Sequence, residues 1–176
     1  MILKEQKCYK NAFMMTNTEQ SEKPVITLDA KDYEILRLLE ENAKLTVREI
    51  AAMIHLSPTP THERIKRMEK SGVIKQYAAI LNRQLVGKGM IVLCMITLRE
   101  HNKKAGEVFI KAMLEFKEIV ECYNISGDFD FMVKIVAQSM EDYHNFFVNK
   151  LGEVKGIGQT KSIFVMAAVK ETHNLL

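Results

Sequence analysis

The 176-residue sequence predicts an α+β protein in two parts: a helical N-terminal unit containing a helix-turn-helix, and a C-terminal domain of βαββαβ order. Three observations carry this. Between Leu28 and Gly72 apolar residues recur at helical spacing in three short segments separated by capping and turn residues. From Met90 onward, runs of β-formers alternate with only two helical segments. Between the two patterns, Asn82 to Gly89 has the composition of a domain boundary. The expected divisions are an N-terminal extension at 1–24, a helix-turn-helix domain with its following strand at 25–82, a linker at 83–89, and a ferredoxin-like domain at 90–176.

Residues 1–24 mix Lys, Asn, Thr, Glu and Gln without a sustained period, so a mobile extension is expected. Met14 and Met15 fall inside it, and a translation start there is an alternative to Met1. Asp29 can cap a first helix whose stripe is Ile35, Leu36, Leu38 and Leu39 and which closes near Glu41. Thr46 and Glu49 form a capping box, in which each side chain satisfies a backbone donor of the other residue, opening a short helix with Ile50, Ala51 and Ile54 on one face. His55 and Leu56 make the turn, where the left-handed backbone tolerates His better than most non-glycine residues. Ser57 caps the third helix. Pro58 and Pro60 sit at its first and third positions, where a missing N–H breaks no intrahelical bond, and this leaves Ser57 able to cap Thr59 but not Pro60. Thr61, Ile65 and Met68 then face inward, and Ser71-Gly72 supplies the stop.

Val73 to Leu81 reads as extended. Beyond the boundary, Met90–Leu98 is expected as a strand, Asn102–Phe116 as a helix with Val108, Phe109, Ala112 and Met113 inward, and Ile119–Ile125 as a strand. A turn at Ser126 to Asp130, a strand at Phe131–Ala137, a helix at Met140–Leu151 and a strand at Ile157–Val169 complete the order. The first and last strands are apolar on both faces. With both helices on one side of the sheet, the second face needs another cover, most simply a second subunit.

Composition narrows the function. No apolar run approaches about 18 residues and no leader pattern is present, so neither a membrane partner nor secretion is supported and a cytoplasmic location is expected. Cys8, Cys94 and Cys122 are odd in number and far apart, which argues against a disulfide framework or thiolate metal site; Cys94 and Cys122 read as small core residues. The five histidines show no ligand spacing, so neither a metal nor a cofactor is expected. The net charge of +3 is unevenly placed: residues 1–85 hold 14 basic against 11 acidic side chains, and 57–83 hold six against two.

Four of those six basic side chains lie on the third helix. Two helices joined by a tight turn, the second opening with short polar residues and continuing into Arg64, Lys66, Arg67 and Lys70, match the geometry that inserts a helix into the major groove of duplex DNA. Opposite Thr61, Ile65 and Met68, the helix presents Pro58, Thr59, His62, Glu63 and Lys66. Its N-terminal end enters the groove, so Thr59 and His62 are expected to read base edges, with Ser57 and Pro58 among the DNA-binding positions beside them, whereas Lys66, Arg67 and Lys70 suit phosphates. Any one of these cations could instead be a plain solvated charge, and Arg64 could pair with Glu69 or with an acid of the first helix.

Together these strings resemble the Lrp/AsnC family: Leu28-Asp29, Asp32, Ile35-Leu36, Leu56-Ser-Pro-Thr-Pro60 with Glu63-Arg64-Ile65, Gly72-Val-Ile74, and Glu121-Cys122 leading to Ser126-Gly-Asp-Phe-Asp130. The likeness runs from about residue 26 to 172. It implies a winged helix-turn-helix, a linker strand pairing between subunits, and a ligand-responsive domain of ferredoxin-like topology. It also implies a nucleoid-associated transcriptional regulator that forms homodimers assembling to octamers, with an amino-acid effector such as leucine or methionine at interfaces between dimers. His55, where the family mostly has Gly, and Thr61 and His62 depart from the pattern.

An amino-acid effector needs donors for its carboxylate, an acceptor for its ammonium and an apolar pocket. Ser126, Gly127, Asp128 and Asp130 can supply the polar part, and by the resemblance Tyr143, Thr160 and Ser162 complete it. Gly-Asp between strands is equally ordinary hairpin chemistry. Two alternatives stand beside this reading: an architectural DNA-organising protein without an effector, and an enzyme using Asp128 and Asp130. No catalytic nucleophile, base and orienting group can be assembled, so no enzyme is expected.

Overall fold

The computed structural model of the chain describes residues 26–176, so the expected extension at 1–24, with Cys8, Met14 and Met15, lies outside the described residues. The chain forms two compact units. One runs through Ile80 and takes in Lys170–Leu176, whose Leu175 and Leu176 N–H groups donate to Glu40; the other is Leu81–Val169. The expected C-terminal domain, 90–176, held those last seven residues with the sheet; by contacts they group with the helices.

The first unit has helices α1 (Ala30–Glu41), α2 (Val47–Met53) and α3 (Pro58–Ser71). Asp29 caps α1, and Asp32 completes a capping box that the sequence pattern did not reveal: Asp32 N–H donates to Asp29 Oδ1 and Asp29 N–H to Asp32 Oδ2, each at 3.0 Å. The expected box of α2 is present, with Thr46 N–H donating to Glu49 at 2.7 Å. His55 takes the left-handed conformation at φ 56°, and Gly72 ends α3 at φ 81°. Ser57 occupies the cap position of α3, but its side chain makes no cap bond. Its carbonyl instead accepts from Thr61 Oγ1 at 3.0 Å, which satisfies the buried threonine hydroxyl.

Ile35, Ile50, Ile54, Ile65 and Met68 form the core of this unit, with Leu28, Leu36, Leu39 and Leu45 packed around it. Each such side chain stabilises the fold by roughly 1.5–3 kcal/mol relative to exposure. The expected strand at 73–81 joins no ladder. It has no assigned secondary structure, and Ile80 and Leu81 stand exposed, because backbone can become a strand only where a neighbour offers its N–H and C=O groups.

The second unit is a four-stranded antiparallel sheet of β1 (Met90–Leu98), β2 (Ile119–Asn124), β3 (Phe131–Ala137) and β4 (Ile157–Phe164), in the order β2-β3-β1-β4. Helices α4 (Lys103–Glu115) and α5 (Met140–Phe146) cover one face. The core between sheet and helices holds Val92, Cys94, Ile96, Val133 and Ile135 from strands against Phe109, Met113, Tyr143, Phe146 and Leu151. Phe109 and Phe131 stack at 4.6 Å between centroids.

Four local expectations change. Val108 is exposed, because the buried stripe of α4 centres on Phe109 and Met113. The second helix passes at Phe147 into a π-turn, Phe147–Leu151, whose wider repeat lets Phe146 and Leu151 both reach the core. Strand β4 ends at Phe164, not Val169: Phe164 pairs with Val92, Val165 N–H still donates to Ile91 at 3.0 Å, and β1 begins at Met90, so the ladder soon runs out and Met166 and Val169 are exposed. Cys94 is buried as expected, but Cys122 is exposed, since it lies on an edge strand.

Candidate nucleic-acid interface and effector face

At 100° per residue, the exposed Thr59, Glu63, Lys66 and Lys70 of α3 form the strip opposite the buried Thr61, Ile65 and Met68. Ser57 and Pro58 stand exposed at the helix start, on the same end as Thr59. His62 lies on one flank, lining an open cleft of about 250 Å³ with Leu39, Leu45, Val47, Ile65 and Tyr77. Tyr77 closes that cleft by donating to Glu69 at 2.9 Å, and burial first, then Glu69, pushes its phenol up to about 12.

The other flank carries Arg64 and Arg67, and both turn toward α1. Arg64 Nη1 lies 2.6 Å from Asp29 Oδ2 and 2.9 Å from Asp32 Oδ1, and Arg67 Nη2 lies 2.5 Å from Asp32 Oδ2. Of the two partners left open for Arg64, the structure selects the first-helix acids. Asp32 is fully buried, and three donors converge on its two oxygens, which satisfies the buried carboxyl group. The Arg64 guanidinium, followed by the Asp32 N–H, holds the Asp29 carboxyl below the usual range, and the same acids hold Arg64 above its ordinary value. Among the described residues, Lys66 and Lys70 have no acid within ion-pair distance, so the positive charge of the strip is theirs, beside the one acid Glu63.

In the second unit the predicted effector residues fall in two groups. Tyr143 and Ser162 share a hydrogen bond of 2.5 Å, and Tyr143 meets Phe164 edge-on at 5.3 Å. Burial, as the largest cause, raises the Tyr143 phenol. Thr160 lies two residues along β4 on the same face, opposite Ile96. The second group is the connection from β2 to β3. Ser126, Gly127 and Asp128 are exposed there, and Gly127 has φ 113°, a conformation that an L side chain strains to adopt.

Asp130 differs from its neighbours because the fold already uses it. Its carboxylate accepts from Leu98 N–H at 2.7 Å and lies 3.2 Å from His101 Nδ1, and its carbonyl accepts from Ile125 N–H and Asn124 Nδ2, each at 2.9 Å. It fastens the connection to the end of β1. Asp32 and this role of Asp130 escaped the sequence reading; the Asp29-x-x-Asp32 spacing was the available signal for the first.

The outer face of the sheet carries Leu93 and Met95 of β1, Met132 and Val136 of β3, and Ile163 of β4, so it is largely apolar. Two polar features interrupt it: Lys161 of β4, opposite Met95, and a cluster in which Lys134 donates to Glu121 at 2.9 Å and Tyr123 donates to the other oxygen at 3.0 Å.

Comparison with known proteins agrees with both halves. Residues 28–75 match a winged helix-turn-helix DNA-binding domain, and residues 91–175 match the Lrp/AsnC ligand binding domain. The chain is 38% identical over 149 residues to the leucine-responsive regulatory protein of Haemophilus influenzae, covering 85% of this chain and 90% of that protein. It is 32% identical over 158 residues to the leucine-responsive regulatory protein of Escherichia coli K12, covering 90% of this chain and 96% of the relative. A transcriptional regulator of Neisseria meningitidis, solved as a complex with L-Met, superposes with a TM-score of 0.81 at 31% identity, over 85% of this chain and 97% of that one. An AsnC family regulator from Agrobacterium tumefaciens gives the same TM-score at 32% identity and the same coverage. A helix-turn-helix match at residues 28–75, an Lrp/AsnC ligand binding domain match after it in the chain, and relatives that are transcriptional regulators along nearly their whole length place this chain in the Lrp/AsnC family of DNA-binding transcriptional regulators.

Proposed function

We propose that this chain is a sequence-specific regulator that reads duplex DNA with α3 and works as an oligomer whose assembly responds to an apolar amino acid. The observation that carries the first part is the exposed strip of α3. Ser57, Pro58, Thr59 and His62 stand where base edges are read, and Lys66 and Lys70 stand free for phosphates. A selection of bound genomic fragments tests it: enrichment of a common sequence is expected, and recovery of fragments without any shared sequence would refute specific reading.

The outer sheet face supports assembly. Leu93, Met95, Met132, Val136 and Ile163 suit a second copy of the same face, in an isologous dimer, and the exposed segment around Ile80 and Leu81 is free to pair between subunits. Assembly of such dimers to an octamer is the further step that the family suggests.

The effector reading rests on Ser126, Gly127 and Asp128 at an exposed connection, with Tyr143, Thr160 and Ser162 on β4 and its covering helix. The Neisseria relative, crystallised with L-Met, supports methionine, leucine or a similar side chain. Asp128 suits the ammonium better than Asp130, whose carboxylate already binds Leu98 and His101. A ligand at an interface acts only through unequal affinity for different assemblies. Calorimetry and sedimentation with each of the twenty amino acids test this: heat with a shift in mass for an apolar one is expected, and no response to any would refute it.

A further inference from the structure

We propose that Asp32 is a positioning residue for DNA reading, a buried carboxylate that sets the rotation of α3 by holding Arg64 and Arg67, and that those two arginines are struts and not phosphate contacts. The inference rests on the reading of α3 as the DNA-reading helix.

The geometry is specific. Asp32 is fully buried on α1, and each of its oxygens takes a different arginine of α3: Oδ1 takes Arg64 at 2.9 Å and Oδ2 takes Arg67 at 2.5 Å. Oδ2 also accepts the Asp29 N–H at 3.0 Å, so the carboxylate is itself fixed by the cap of α1. Asp29 then adds a second hold on Arg64 at 2.6 Å. Arg64 and Arg67 are three residues apart on one flank, so two contacts to one carboxylate resist rotation of the helix about its axis. A rotation of about 20° would move a side-chain atom roughly 5 Å from that axis by about 1.7 Å, enough to break a hydrogen bond to a base edge. Charge balance points the same way. Two acids face two arginines and cancel them, whereas Lys66 and Lys70 keep their charge for phosphates.

The test compares the full chain with Asp32→Asn, Arg67→Gln and Lys66→Gln. The probes are a duplex selected by the native chain from a random pool and a scrambled duplex, from 50 to 200 mM salt. If Arg67 is a strut, Arg67→Gln lowers the ratio of specific to scrambled affinity by about tenfold, the discrimination of roughly one base pair, without lowering the salt slope. Lys66→Gln lowers the slope by about 0.9 for each protomer engaged, on both duplexes. Asp32→Asn, which frees Arg67 while Asp29 still holds Arg64, lowers the ratio at least as far and steepens the slope. A merely structural Asp32 would reduce the folded fraction and leave ratio and slope of the folded protein at native values; that result, checked by circular dichroism, overturns the proposal. A slope reduced by about 0.9 for each protomer engaged in Arg67→Gln also overturns it, because Arg67 would then be a phosphate contact. If Asp32→Asn does not fold, the slope and ratio of Arg67→Gln decide alone. A native chain that binds neither duplex removes the reading of α3 itself; a native chain that discriminates while Arg67→Gln keeps the native ratio sinks only the role of Asp32.

Discussion

Replacing Lys66 by Ala tests most directly how α3 meets DNA. Lys66 is exposed on the strip opposite the core, and no acid lies within ion-pair distance of it among the described residues, so its removal leaves no other charge unpaired. Each phosphate contact contributes about 0.9 to the slope of log affinity against log salt. Losing one contact therefore weakens binding roughly eightfold at 0.1 M salt and roughly fourfold at 0.2 M, relative to 1 M. In a dimer with both reading helices engaged the contact is lost twice, so the slope falls by about 1.8 and the loss at 0.1 M is roughly sixtyfold. Fluorescence anisotropy on a selected duplex and a scrambled one, across 50 to 200 mM salt, measures both quantities. The losses on the two duplexes should be equal, since phosphates carry no sequence information. An unchanged slope, or a loss confined to the selected duplex, would show that Lys66 is not a phosphate contact.

Thr59→Ala should behave in the opposite way, changing the preference among duplexes by about tenfold with the salt slope intact; equal loss on all sequences in a binding-site selection would refute its reading role. The Asp29 carboxyl is depressed by Arg64, so its stabilising contribution is complete above the ordinary range near 4 and is lost as pH falls through the lowered value. Unfolding midpoints of Asp29→Asn should accordingly be less sensitive to acid between about pH 5 and 2, and curves parallel to native would contradict the pairing. Phe109→Ala, at a fully buried site stacked on Phe131, should cost about 3–5 kcal/mol in the sheet unit, read by denaturant titration, and a cost under about 1 kcal/mol would mean that the core is not as described. Met95→Lys, which puts a charge on the outer sheet face, should shift sedimentation to the monomer; an unchanged mass would move the dimer interface elsewhere.

Much of the first unit was legible because its signals are local. The Thr46 and Glu49 box, the proline pair after Ser57, His55 in the turn and Gly72 at the stop each act within about four residues, so their effect follows from chain order. The βαββαβ order was equally legible from changes of period, with β1, α4 and β3 falling where the pattern placed them. The end of β4 was not, since it depends on where β1 runs out and not on the apolar residues that continue to Val169.

By itself, then, the sequence determined the helices, the caps at Asp29 and Thr46, and the family, all of which reside in short-range pattern. Only the tertiary structure decided which charges remain available. Arg64 and Arg67 look equivalent to Lys66 and Lys70 along the chain, but Asp29 and Asp32, more than thirty residues earlier, claim the first pair and leave the second. Asp130, which by pattern matched Asp128 as an effector acceptor, is claimed by Leu98 and His101 in the same way. An ionisable side chain acts through its nearest opposite charge or donor, and the fold alone determines which group that is.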